Sequence, residues 1–308
     1  MSNEQLLQED FRIIGYDREN GESLARRPVN YWQSGWTRLK QNRVAVTASF
    51  VLLVIILMTI IGPYISGYKM EDTNILFKNK WPSLTNWFGT DQLGRDLFTR
   101  VSIGGRVSIV IGILGALIVT VVGCLYGGMA AYFGGTIDMI MMRMVEVLKS
   151  VPHLLVVIMI SIVLSSKSIP VLLFAMTITG WCSTAQLVRS QMLQLSRSEY
   201  VMAAKIMSVP PLKIVVKHLI PNSISVIIVH ITFRIPGFIF GEAFLSYVGL
   251  GVQSPATSWG ALASAASGSI MFYPYQIFFP TLFIALTMLC FTLIGDGLRD
   301  ALDPKLWR

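Results

Sequence analysis

The chain has 308 residues, of which 53% are hydrophobic and only 14% charged, with a formal net charge of +8. Soluble domains carry about 25% charged residues, so a mean hydropathy of +0.61 excludes an ordinary soluble domain and points to a membrane protein of several spans. The basic residues flank apolar runs, where they set orientation, and nucleic-acid binding is not expected.

Residues 1–43 form a polar N-terminal tail. From Tyr31 on, "YWQSGWTRLKQNR" predicts a short interfacial helix, because Trp32 and Trp36 lie one turn apart and Arg38, Lys40 and Arg43 follow; aromatic rings beside cations suit the headgroup layer. The first apolar run begins only near Val44, so no secretory signal peptide is expected. The first span covers 44–65, Val44 to Ile65, and "GPYISG" ends it. Residues 66–105 read as a polar extracytoplasmic loop containing "WFGTDQLGRDLFTRV".

The core, 106–296, holds five further spans. The second runs from about Val107 to Tyr132 and is glycine-rich; Gly123 and Gly127 make a small-xxx-small face that lets helix backbones approach. After a turn at Gly134–Gly135 the third extends from Ile137 to about Leu164, interrupted by Pro152, and the fourth from Ile169 to Val188, with Pro170 at its start. A polar insert, 189–222, follows. The fifth, Ile224 to about Val248, carries Arg234 and Pro236–Gly237 in its middle and is expected to be kinked or broken there. A loop over 251–274 leads to the sixth span, about Tyr275 to Ile294, and the chain closes with a tail, 297–308.

Six crossings place both termini on one side. The N-terminal tail, the insert and the C-terminal tail together hold roughly 15 Lys and Arg, about twice the count on the other face, so the positive-inside rule makes both termini and the insert cytoplasmic.

No catalytic constellation is present. The sequence has no G-x-x-x-x-G-K-[ST], no H-E-x-x-H and no G-x-S-x-G. Cys124, Cys182 and Cys290 are isolated in apolar stretches without metal-ligand spacing, so no metal site is expected. Charge at mid-bilayer costs at least about 2.5–3.5 kcal/mol, which singles out charged residues in the spans. Asp138, Arg143, Glu146 and Lys149 lie early in the third, with Arg143–Glu146 and Glu146–Lys149 spaced to pair. Arg234 and Glu242 lie inside the fifth; they could line a water-filled path, pair with each other, or pair with another helix. A proton-coupled secondary transporter using both is the alternative they keep open.

The insert is the most informative stretch. In "SRSEYVMAAKIMSVPPLKIVVKHLIPN", Ser196 and Glu199 fit a capping box and Ser198 could also cap. "EYVMAAKIM" predicts two helical turns; Pro210 and Pro211 end that helix and start another, and Pro221-Asn222 ends the second. Two short helices at an angle make a knob, with Ala203 and Ala204 a closely approachable surface for a partner's groove.

This stretch resembles the cytoplasmic EAA loop of ABC importer permeases, matching at Ala203, Ala204 and Pro221, with Ile220 for the usual Leu. It departs at Met202, where Glu is usual, and at Ser208, where Gly is usual. "FGTDQLGRDLFTRV", "GEAFLSYVGLGVQSPATSWG" and "DGLRDALDP" extend the likeness over roughly 30–308, to the dipeptide/oligopeptide/nickel branch and its C-type permease subunit. The resemblance implies an all-α integral membrane protein with the six-helix type I permease fold, and no enzyme activity of its own. It implies a heterodimer with a second permease, two ATPase subunits that hold ATP and Mg, so that this chain has no cofactor, and an extracytoplasmic peptide-binding protein. Glu199, Tyr200, Met202, Ala203, Ala204, Lys205, Met207, Ser208 and Pro221 would then form the ATPase-coupling segment. Arg234 and Glu242 would be candidates for the path, and Trp259 and Tyr273 would face the binding protein.

Overall fold

The computed structural model describes residues 31–164, 168–253 and 256–303. The tail 1–30 and residues 304–308, the end of the expected C-terminal tail, lie outside the described residues. Regular structure among them is helical, apart from an isolated bridge between Thr90 and Asp96.

Helix α1 (Tyr31–Gln41) carries Trp32 and Trp36 on its exposed side, with the Lys40 ammonium 5.3 Å from the Trp36 ring. Helix α2 (Arg43–Ser66) starts where the Asn42 side-chain Oδ1 accepts from the Ala45 N–H at 3.1 Å. It runs through Gly62-Pro63 and stops at Gly67, whose φ of 73° breaks the helix. Pro63 has no N–H for the carbonyl of Thr59 one turn back. The Arg106 Nε donates to that oxygen at 2.7 Å, and its Nη2 donates to Ile60 O at 2.7 Å.

Helix α3 (Leu97–Phe133) begins well before the expected Val107, so the segment 97–105 belongs to the helix and not to the loop. Its start is built from polar side chains: the Asp96 carboxylate accepts from the Thr99 N–H at 2.8 Å and the Thr99 hydroxyl at 2.7 Å. Arg100 pairs with Asp91. These charges read as loop in sequence because their partners lie elsewhere in it.

The third and fourth expected spans are bent helix pairs. Helices α4 (Gly135–Ser150) and α5 (His153–Val163) meet at 75°, and α6 (Ile169–Thr177) and α7 (Trp181–Leu195) at 46°. The second bend falls inside a segment expected to be continuous. Gly123 and Gly127 press α3 onto α7; a Cβ on Gly123 would lie 2.6 Å from Thr184 Cβ. Of the expected pairs on α4, Arg143–Glu146 forms at 2.8 Å, whereas Lys149 instead donates to Gln186 at 2.7 Å. Asp138 pairs with Arg189 of α7.

The insert contains α8 (Glu199–Ile206), α9 (Pro211–Ile214), a π-turn (Val215–Leu219) and α10 (Ile220–Asn222). Helix α11 (Ile224–Tyr247) passes Pro236 unbroken. A short buried helix, α12 (Trp259–Ala266), precedes α13 (Tyr275–Leu302), which continues past Ile294 into "GDGLRDAL". Helices α2, α3, α11 and α13 are each long and apolar enough to cross a membrane, and counting each bent pair as one span gives up to six. The first and last described helices meet: Gly35 of α1 lies against Leu302, and the Tyr31 hydroxyl donates to Leu302 O at 2.5 Å.

Candidate functional site

At the α8 end of the bundle, Ser198 is the N-cap of α8 but makes no capping bond with its side chain. The Ser196 and Ser198 hydroxyls donate backwards to Leu193 O at 2.9 Å and Leu195 O at 2.6 Å, so the expected capping box is not formed. The far end of α8 is closed by a Schellman pair: Ser208 N–H donates to Lys205 O at 3.0 Å and Val209 N–H to Ala204 O at 3.1 Å. Ser208 holds the left-handed conformation, φ 58°. The serine therefore makes the turn that glycine usually makes, at a steric cost of about 1 kcal/mol.

Pro210 is the N-cap of α9 and Pro211 its first residue, where a missing N–H costs nothing. The following π-turn, in which Ile220 N–H donates to Val215 O, accommodates Pro221 immediately after it. The knob is fastened to the spans by a buried cluster of Val201, Ala204, Ile214, Val215 and Leu219 with Val188, Met192 and Ala131. Lys205 adds a tether, its Nζ 3.3 Å from Tyr132 O and 4.6 Å from that ring's centre.

The two alanines therefore separate. Ala203 is exposed, whereas Ala204 faces the chain's own core. Tyr200, Met202, Met207 and Ile206, the last 84% exposed, share the open side with Glu199 and Ala203. Sequence reasoning missed Ile206; counting a helical face from Glu199 through Ala203 reaches it.

Deeper in the bundle, Arg234 and Glu242 are not paired with each other. The Glu242 side chain is 0% exposed; its carboxylate accepts from the Ser108 hydroxyl at 3.0 Å and the Ser246 hydroxyl at 2.6 Å. Ser108 in turn accepts from Trp259 N–H at 3.2 Å. Trp259 is likewise 0% exposed, with its indole N–H donating to Val101 O at 2.9 Å. Glu242 thus ties α11 to α3 and to the start of α12, and lines no open path. Trp259, expected to face a binding protein, is buried because close approach at Gly104 and Gly105 makes room for its backbone and ring. Tyr273 is half-buried against Tyr275, while neighbouring Met271 and Phe272 are exposed.

Arg234, on α11, faces the bend between α6 and α7. Its Nη2 donates to Gly180 O at 3.0 Å and its guanidinium carbon lies 5.7 Å from the Phe238 ring centre. His153 Nδ1 and the Thr179 hydroxyl are 2.8 Å apart, and His230 Nε2 and the Thr184 hydroxyl 3.1 Å apart. Among the described residues no group of three or more His, Cys, Asp or Glu could hold a metal ion.

Comparison with known proteins gives this architecture its place. Residues 120–308 match the model of the binding-protein-dependent transport system inner membrane component, and residues 30–82 match that of the N-terminal TM domain of oligopeptide transport permease C. The chain belongs to the family of binding-protein-dependent transport system inner membrane components. It is a multi-pass ABC transporter permease, not an enzyme; ATP hydrolysis resides in a separate partner. The permease is 43% identical to the dipeptide transport system permease protein DppC of Bacillus subtilis, over 99% of this chain and 95% of the relative. It is 42% identical to the oligopeptide transport system permease protein OppC of the same organism, over 93% of this chain and 94% of the relative. Identity to OppC of Escherichia coli K12 is 41%, over 92% and 94%.

Proposed function

We propose that this permease is one half of the translocation pathway of an ATP-driven peptide importer, crossing the cell membrane six times with both termini in the cytoplasm. Peptide cargo is supported by the relatives named for dipeptide and oligopeptide transport. The orientation is supported by the excess of Lys and Arg in the tails and insert. The partners are a second permease, two ATPase subunits that bind ATP and Mg, and an extracytoplasmic peptide-binding protein.

The observation that carries the reading is the outer face of α8. A helix fastened on one side to its own spans, with large apolar residues open on the other, has the form of a plug for a partner's groove. Glu199, Tyr200, Met202, Ala203, Ile206, Met207 and Ser208 are its contact residues. Ala204, Lys205 and Pro221 hold the knob in shape. When ATP closes the ATPase pair, a knob fixed in this way moves as a body and carries the spans with it. The switch requires that ATP bind the two states with different affinity. Arg234, near the middle of α11, lies on the path; exposed Met271 and Phe272, together with Tyr273, face the binding protein.

Replacing Ile206 by Asp puts a charge into the plug without touching the core. Peptide uptake is expected to fall by about tenfold or more, as for truncation of an interface anchor, with the permease still at normal level in the membrane. Unchanged uptake would defeat the coupling role.

A further inference from the structure

Arg234 has no counter-ion among the described residues, which distinguishes it from the other intramembrane charge on its helix. Glu242, two turns further along α11, is sealed and accepts two hydroxyl bonds. Arg234 is only half-buried, forms no ion pair with any described carboxylate, and makes one hydrogen bond, to Gly180 O. Its Nε is buried without a partner. A guanidinium carries five N–H donors in a fixed fork suited to a carboxylate, and most of this fork is unused. A cation left in this condition inside a span marks a functional site.

The surroundings point the same way. The Arg234 ring contact and hydrogen bond fix the position of the guanidinium without neutralising it. His230, one turn before Arg234 on α11, bonds to Thr184, and Thr179, next to Gly180, bonds to His153; none of the four is an acid. The break at 151–152 is joined to that at 178–180 by the His153–Thr179 contact, Gly180 in the second holds Arg234, and the first turn of α7 has no side-chain cap. Interrupted helices whose N-termini lie near a mid-membrane site favour anionic groups. One turn beyond Arg234, Gly237 is exposed, with open space where a Cβ would stand.

We infer that Arg234 anchors a carboxylate-binding subsite on the translocation path, with His153, His230, Thr179 and Thr184 as its polar lining. The inference rests on the placement of Arg234 on the path in the proposed function. The ligand chemistry is a peptide carboxylate, whether the C-terminal group or an Asp or Glu side chain.

The test uses the complete transporter with its binding protein and three cargo peptides: a neutral peptide with a free C-terminus, the same peptide as its C-terminal amide, and a Glu-containing amide. With Arg234→Gln, uptake of the free acid should fall by about tenfold, the value of one charge-assisted hydrogen bond, while uptake of its C-terminal amide changes by less than about twofold. The binding protein is the same in parent and variant, so its own preference cancels in the ratio. A matching fall for the Glu-containing amide assigns the subsite to side-chain carboxylates as well; no fall assigns it to the C-terminus. Arg234→Lys keeps the charge but loses the fork, and carries the same comparison with a smaller selective loss if the Gln variant does not assemble.

Equal losses for acid and amide, or no loss, would overturn the inference. Labelling of Gly237→Cys by a membrane-impermeant thiol reagent separates the two failures, because Cys124, Cys182 and Cys290 are all buried. If Gly237→Cys is labelled and Arg234→Gln is unselective, the path stands and the carboxylate subsite does not. If Gly237→Cys is not labelled, the path itself is misplaced.

Discussion

The region around Glu242 and Trp259 and the knob around α8 both consist of segments whose residues stood out in the sequence, and they handle those residues in opposite ways. Around Glu242, a carboxylate, three serines and an indole are withdrawn from solvent, and each finds its partner within the chain. On α8, Tyr200, Met202, Ile206 and Met207 are left open although the same helix buries Val201 and Ala204. A polar group sealed inside must have its hydrogen bonds made there; a run of large apolar side chains left outside asks for a surface the chain does not supply. The first region is a fastening; the second is the face we propose as an interface.

The largest effect expected from breaking this contrast is at Glu242. Glu242→Ala strands the Ser108 and Ser246 hydroxyls and leaves a void, and should cost about 3 kcal/mol or more. It would be read as a lower unfolding midpoint of the purified transporter in detergent. Glu242→Gln keeps the shape and should cost less. An unchanged midpoint in the Ala variant would mean the network is not a fastening. Trp259→Phe removes the indole donor to Val101 and some volume, and should cost about 1–2 kcal/mol in the same assay. If instead it left stability intact and abolished binding-protein docking, Trp259 would belong to an interface after all.

The smallest effect is at Ser208. Gly at this position relieves the left-handed strain but loosens the unfolded chain, so Ser208→Gly should stabilise the knob by about 0.5 kcal/mol. Slower amide exchange in α8, with uptake unchanged, is the expected result; faster exchange would show that the serine supports the turn in some other way.

The long apolar helices, the short helix carrying Trp32 and Trp36 and the corner at Pro210–Pro211 were legible in the sequence because hydropathy, aromatic spacing and proline act locally. Three features were not. The start of α3 was hidden because Thr99, Arg100 and Arg106 are polar in sequence yet bonded to Asp96, Asp91 and the carbonyls of α2. Trp259 looked like a docking residue because an aromatic in a loop gives no sign of the glycines on α3 that receive it. The bend between α6 and α7 has Gly180 but no proline, and a single glycine is a weak break signal. At the proposed coupling segment the sequence placed the helix correctly but could not rotate it, so Ala203 and Ala204 were read together and Ile206 was passed over.

That rotation offers the most direct test of the central claim, that the open face of α8 enters an ATPase groove. Single cysteines at Ala203, Ala204 and Ile206 would be crosslinked in the assembled transporter. The account predicts crosslinks to the ATPase from Ala203→Cys and Ile206→Cys, with yields that change on ATP binding, and none from Ala204→Cys. Crosslinking from Ala204→Cys alone, or from none of the three, would contradict it.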